Sequence, residues 1–328
     1  MKRHIAILIT KTIIVFTIVA LIDIVLGGIL KQAFFNQKSG RYYRTTEALY
    51  GSEADVMIFG SSIANHSCNP QILTDSLKLS SYNAGVRGQS VFFAQAIQEV
   101  VLERYKPKVM ILLLEPYILY ERPDFYDRLA DLSPYYRKEP AIREIMTLSE
   151  KNDFKYKYFS YSNLIVFNST ILHILKYKLR PQADIRGHLP MYEAISPVTI
   201  AQIEKERKGE YTPEIMQSLE IDTNVYRSLE KFFSNAEQAN IPILCVFAPE
   251  IRYADYSNDE SFKLINELAI KYKVKTMDYN NHPDFTYQYH YWGDNVHLNN
   301  KGADYFTSLL ANDIKEILDK EKTDLTLN

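Results

Sequence analysis

Three short stretches of the 328-residue chain carry side chains that could act together in acyl chemistry. The first is Phe59-Gly60-Ser61-Ser62-Ile63-Ala64-Asn65-His66. The second is Asn83-Ala84-Gly85-Val86-Arg87-Gly88-Gln89-Ser90. The third is Asp294-Asn295-Val296-His297-Leu298-Asn299. A serine hydroxyl is a weak nucleophile until an imidazole takes its proton, and the imidazole needs a carboxylate to fix its tautomer. Ser62, His297 and Asp294 supply one of each. Asp294 and His297 are three apart, so one helical turn or a tight loop brings their side chains together. Each stretch alone has a plainer reading. Glycine and serine occur in any tight turn, and Asp294 could cap a helix while His297 merely packs. There is no G-x-S-x-G elbow.

The elements around these stretches explain how they would meet. Ala54 to Gly60 is a short apolar run of strand type ending in glycine. Asn69-Pro70 opens a helix, Ser81 to Gly85 is a second strand, and Ser90 to Tyr105 is an amphipathic helix. Val109 to Leu114 is wholly apolar, as in a central parallel strand. Residues 117–212 break the rhythm with Tyr, Arg, Lys and Pro, and are expected to form an insertion capping the sheet and covering the pocket. A helix from about Pro213 to Ala239, strand Ile241–Phe247, helix Asp259–Lys273, strand Val274–Asp278 and a final helix from Lys301 to about Lys320 complete the pattern. Strand-helix alternation predicts an α/β fold, a doubly wound parallel sheet, in which ligands bind at the carboxyl ends of the strands. All three stretches fall there. The serine at a strand-to-helix turn would be exposed beside converging backbone N–H groups.

The motifs resemble those of the SGNH/GDSL hydrolase superfamily. Gly60-Ser61-Ser62-Ile63 resembles its first block, usually Gly-Asp-Ser-Leu, with Ser61 in place of Asp. The Gly-Ser-Ser form is similar to that of membrane-anchored relatives that handle cell-envelope polymers, including the teichoic-acid D-alanylation protein and alginate acetylation proteins. Residues Asn83 to Ser90 resemble the second block, whose glycine donates an oxyanion N–H; Gly88 fits best and Gly85 second. Asp294-x-x-His297-Leu298 resembles the fifth block, which carries the triad acid and base. The resemblance covers about residues 53–115 and 241–320 and implies a flavodoxin-like three-layer fold. One block departs. Where the family has Gly-x-Asn-Asp, with Asn as oxyanion donor, this chain has Leu114-Glu115-Pro116-Tyr117. An ionised glutamate accepts and does not donate. Tyr117 or Asn65 could replace the missing donor.

Other polar residues near the motifs have a functional and a structural reading. His66 is expected to start a helix or line the pocket. Arg87 could bind an anionic substrate or form a surface salt bridge, and Glu115 could act as a second acid or pair with Arg87. Trp292 and Tyr291 could stack on a sugar, or pack to position the triad loop. Cys245 lies in an apolar strand, and Cys68 has no adjacent base, so both are expected to be structural thiols. No metal-ligand spacing occurs, and neither metal nor cofactor is expected. A net charge of −2 gives no footprint for nucleic acid.

From Thr12 to Leu30 the only charge is Asp23. Nineteen helical residues span ~28 Å, close to the hydrocarbon thickness. An uncleaved membrane anchor over residues 1–31 is expected, with a cleaved signal peptide as the competing reading, then a stalk over 32–52 and the SGNH-like domain over 53–328. Lys2, Arg3 and Lys11 precede the apolar core, but Lys31, Lys38, Arg41 and Arg44 lie beyond it, so the positive-inside rule alone does not orient the helix. Single N-terminal anchors commonly export the domain on their carboxyl side, so the domain is expected outside the cytoplasmic membrane. Asp23 is costly at that depth and implies a polar partner. The expected activity is a serine-dependent ester hydrolase or O-acyltransferase on an extracytoplasmic glycan or envelope polymer, with envelope-polymer biosynthesis proteins as implied partners. The competing expectation is a non-catalytic, membrane-tethered binding or assembly protein that keeps the fold.

Overall fold

A computed structural model describes residues 2–210 and 220–326. Five strands form one sheet: β1 (Val56–Gly60), β2 (Ser81–Asn83), β3 (Val109–Leu114), β4 (Ile243–Phe247) and β5 (Lys275–Asp278). Their order is β2-β1-β3-β4-β5 and all pairings are parallel. This is the expected doubly wound sheet, in the flavodoxin-like order.

The two faces of each strand separate by the period of two that β geometry imposes. Val56, Ile58, Ile111, Leu113, Leu244 and Val246 join one core, with Phe306, Leu310 and Ile314 of helix Asn300–Thr326. The alternate residues face the other layer. Phe59 meets Phe232 of helix Thr223–Ala239 at 5.2 Å, and Met110 takes a contact from Gln98 of helix Val91–Arg104. β1 and β3 are buried at every position because both faces are covered, which is why they read as continuous apolar runs. β5 is one of the two edges, and mostly exposed.

The chain divides into two compact units. One comprises Met1–Tyr43 with Ala130–Gln182, and the other Arg44–Leu129 with Ala183–Asn328. The sheet and all three motifs lie in the second. The residues 117–212 expected as one insertion are therefore shared between the units, and 211–212 lie outside the described residues. The helix expected from Pro213 begins at Thr223, where the Asp222 carboxylate accepts the N–H groups of Asn224 and Val225; residues 213–219 lie outside the described residues.

The expected stalk over 32–52 is corrected. This segment is largely helical, and Phe34, Tyr42, Ala48 and Leu49 are buried. Its aromatic content is core, not an extended linker: Phe34 packs against Tyr135 and Phe167 in the first unit. The N-terminal helical stretch Lys2–Phe35 is long and apolar enough to cross a membrane.

Candidate active site

β1 delivers the first motif. At Gly60 the backbone has φ +143°, and a Cβ there would meet the Leu113 carbonyl oxygen at 2.6 Å, so only glycine lets the chain leave β1 beside β3. Ser61 then caps the helix Ser62–Ser67, its Oγ accepting the N–H of Ile63 at 3.2 Å. The same Oγ donates to Glu115 Oε1 at 2.8 Å, from the end of β3. Ser62 is thereby the first helical residue and half-buried.

Ser62 Oγ lies 2.8 Å from His297 Nε2, and His297 Nδ1 lies 2.8 Å from Asp294 Oδ2. An ionised carboxylate only accepts, so Nδ1 carries the ring proton and Nε2 is left to accept from Ser62. Asp294 Oδ1 meanwhile accepts the N–H of Val296 at 2.8 Å and of His297 at 2.7 Å. One carboxylate thus both closes the turn and orients the imidazole, and the three-residue spacing permits both. Burial acts to raise the Asp294 pKa, but the hydrogen bonds from the His297 ring and the two backbone N–H groups prevail and hold it at about 2.

The loop carrying Asp294 and His297 is braced throughout. Trp292 Nε1 donates to the Phe285 carbonyl at 3.0 Å, and Gly293 N–H to the His297 carbonyl at 2.9 Å. Arg252 donates to the Asn295 carbonyl at 3.3 Å while its Nε pairs with Glu206 at 2.6 Å. From 183–210, Ile195 N–H reaches the Trp292 carbonyl at 2.9 Å. Asn299 closes the loop by bonding the carbonyls of His290 and Trp292 and capping Gly302.

The second motif runs beside the first. Ala84 N–H bonds the Ile58 carbonyl and Val86 N–H the Gly60 carbonyl, so the segment up to Val86 follows β1 to its carboxyl end. Among the described residues, no acceptor takes the N–H of Ser62 or of Gly88. Gly85 is different: its N–H is bound to Asn83 Oδ1 at 2.9 Å, which removes it as an oxyanion donor. Asn83 itself is structural, its amide holding the carbonyls of Ala64 and Cys68.

Several sequence expectations change. Trp292 is fully buried and its indole N–H is used inside the loop, so it does not stack on a ligand. Asn65 is buried and its amide donates to the Gly187 carbonyl at 2.8 Å, so it is not the replacement oxyanion donor. Arg87 is exposed and Glu115 bonds Ser61 instead of Arg87. His66 is buried with Nδ1 donating to the Leu189 carbonyl, and its ring lies 5.0 Å from that of His297. Burial, with His297, Arg87 and Arg44 nearby, pulls its pKa down to about 4, so it stays neutral beside the triad.

A cavity of about 200 Å³ lies next to the triad, lined by Ile63, Glu115, Tyr117, Glu250, Arg252 and Val296 among others. Of the residues 117–212 expected to cover a pocket, Tyr117 lines it. Glu115 Oε2 is enclosed with no hydrogen-bond partner among the described residues, and burial raises the pKa of this carboxyl. Glu250 accepts both contacts from Tyr256 Oη, at 2.9 and 2.8 Å, and burial together with Glu115 and Asp278 pushes it up to about 7. Tyr117 stays protonated, through burial and the two carboxyls. Sequence reasoning missed Glu250, Arg252 and Tyr256. The signal for the first two was available, since both come just after β4 at its carboxyl end. It also missed Arg128, whose guanidinium covers Gly88 so closely that a Cβ there would collide with it. No group of three or more metal-ligating side chains occurs among the described residues.

No family model and no curated protein matches the chain. Solved structures do. A proposed acylhydrolase from Bacteroides fragilis is 11% identical, with 81% of this chain and 86% of that one covered and a TM-score of 0.35. An acetyl xylan esterase from the rumen bacterium Butyrivibrio proteoclasticus is 10% identical over 80% of this chain, with a TM-score of 0.38. A gut microbial diltiazem-metabolizing enzyme is 13% identical over 78% of this chain, with a TM-score of 0.29. The chain spans 64% and 47% of the length of the latter two. These are similarities only. The fold rests on the sheet described above, and the site on its own geometry.

Proposed function

We propose that the chain is a serine-dependent ester hydrolase or O-acyltransferase, anchored by its N-terminal helix, with its substrate an acyl ester of an extracytoplasmic glycan or envelope polymer. The observation that carries this reading is the unbroken line Ser62 Oγ, His297 Nε2, His297 Nδ1, Asp294 Oδ2, with 2.8 Å at each hydrogen bond, beside an open cavity. In the mechanism, His297 takes the Ser62 proton as the oxygen attacks the acyl carbonyl. The oxyanion forms near the N–H groups of Ser62 and Gly88. His297 then gives the proton to the departing alkoxide, leaving an acyl-enzyme. Water or a sugar hydroxyl, deprotonated by the same imidazole, accepts the acyl group. Asp294 stabilises the imidazolium in both halves, and neutral His66 adds no second positive charge beside it.

The test is a fluorophosphonate probe on the full chain, with the labelled peptide sequenced by mass spectrometry. Labelling at Ser62, lost in His297→Ala, is expected. A folded protein whose Ser62 resists the probe would instead support the membrane-tethered binding or assembly reading, which the Glu115 departure favours.

A further inference from the structure

The N-terminal unit holds an apolar surface that the catalytic reading does not use. The helical stretch Lys2–Phe35 exposes large apolar side chains from Ile5 to Ile29. One side of it is nevertheless occupied. Gly27 is buried, and a Cβ there would lie 2.7 Å from Asn163 Cβ, so the short helix Asn163–Phe167 rests directly on the backbone of the long one. Asp23 completes this joint. Its carboxylate accepts from Ser162 Oγ at 2.6 Å, from Asn163 N–H at 3.2 Å and from Leu164 N–H at 2.9 Å. A charge that would be costly in hydrocarbon is therefore spent on capping a second segment at the same depth. One turn past Leu30, Phe34 meets Phe167 at 5.2 Å. The segment is thus fixed to the long helix where its apolar stretch ends.

From there the chain passes into helix Ile171–Leu179. Leu172 and Leu179 are each 80% exposed and Leu175 50% exposed. At i, i+3 and i+7 they share one stripe, with Ile174 buried on the opposite side. Lys176 and Lys178 are exposed and border the stripe on its two sides. The ring of Tyr161, at the start of the segment, is 77% exposed and lies under Arg137. An apolar stripe edged by lysines, with tyrosine nearby, has the composition of a helix that lies in a membrane interface.

We propose that helix Ile171–Leu179 lies flat on the bilayer crossed by the N-terminal helix, with Leu172, Leu175 and Leu179 at the acyl boundary and Lys176 and Lys178 at lipid phosphates. The occupant of the stripe is an anionic lipid surface. Two observations select it over a protein partner: the helix follows directly on the segment that the Asp23 joint fixes to the lipid-type long helix, and basic residues border its stripe. The inference rests on the membrane-spanning reading of that helix, and is independent of the triad.

The test uses the full chain in vesicles of phosphatidylcholine with phosphatidylglycerol. Cys68 and Cys245 are buried, with thiols pushed up to about 12 by burial, so neither competes for a nitroxide label. Labels at Leu175→Cys and, separately, at Val19→Cys are read by collision with oxygen, which partitions into lipid, and with a water-soluble nickel chelate. Both labels are expected to favour oxygen, and the Leu175 label to shift towards nickel in Lys176→Glu/Lys178→Glu. A Val19 label in lipid with a Leu175 label in water would overturn the proposal and leave the anchor intact. A Leu175 label shielded from both reagents would mean a protein covers the stripe, and would also overturn it. Both labels in water would remove the membrane-spanning reading, and the proposal with it.

Discussion

Ser61 Oγ donates to Glu115 Oε1 at 2.8 Å, joining the two positions at which the chain departs from the SGNH pattern it resembles. Serine stands where that pattern has aspartate, and Glu115 lies in the stretch that stands in place of the third block. Glu115 then positions the cap of the helix that starts at Ser62, and does not touch the reacting atoms.

This separates two substitutions at Glu115. Glu115→Gln keeps an oxygen for Ser61 Oγ, so kcat/KM is expected to stay within about tenfold of the parent. Glu115→Ala leaves Ser61 unheld and is expected to lose roughly one further factor of ten, the effect of about 1.4 kcal/mol of lost positioning. Kinetics on an activated acyl ester would decide. Equal losses in both variants would mean that the charge itself, and not the hydrogen bond, matters.

The triad gives a second expectation. Ser62→Ala and His297→Ala are each expected to lower kcat by about 10⁴-fold or more, and the double variant to add little, because the residues act as a unit. Asp294→Asn is expected to cost about 10³–10⁴-fold through loss of the imidazole's orientation. Additive losses in the double variant would contradict a shared mechanism. Melting temperatures of all four would show whether folding is intact.

Much of this site was legible in the sequence because its parts are short-range. Glycine at the end of β1, serine at the helix start and aspartate three residues before histidine are each local solutions to a backbone problem. The sheet was legible because strands covered on both faces must be apolar throughout. What was not legible depends on packing across long separations. Trp292 beside Asp294 reads equally as platform or core, and only its bond to the Phe285 carbonyl decides. Asn65 looks like a free amide until Gly187, far along the chain, is placed against it. Asp23 is an anomaly in sequence and a cap in structure, because its partners lie near residue 163.

Glu250 supplies a pH-dependent expectation. Its pKa is raised from 4.5 to about 7, first by burial and then by Glu115 and Asp278. The folded state therefore holds this proton more tightly than the unfolded chain. Stability falls as pH rises from the unfolded value towards about 7, and the penalty is constant above that. Glu250→Gln removes the penalty while keeping an acceptor for Tyr256 Oη. It is expected to stabilise the protein by about 1–3 kcal/mol at pH 8. The advantage should vanish below about pH 4.5, the unperturbed value. The loss of Asp294 stabilisation towards about pH 2 is common to both proteins and cancels. Urea melts at pH 8 and pH 4 measure the difference, and a gain that is the same at both would exclude titration of Glu250 as its cause.

Trp292→Phe tests whether the triad loop is held from beneath. The indole is fully buried, and its N–H is the hydrogen bond to the Phe285 carbonyl. Phenylalanine keeps most of the apolar area but removes the indole donor, leaving that carbonyl the Gln288 N–H alone, and opens a small void. The expected cost is about 1–3 kcal/mol of stability. The chain on either side of Trp292 also carries the loop: its own carbonyl accepts from Ile195 and Asn299, and Asp294 comes two residues later. A shifted backbone there would lengthen the Ser62 to His297 bond before it altered the cavity, whose lining excludes Trp292. The expected kinetic signature is a lower kcat with KM nearly unchanged. A binding role for the indole would show the opposite, with KM raised and kcat retained. Measuring both constants, with a melt to correct for unfolded protein, distinguishes a brace beneath the catalytic loop from a platform for the substrate.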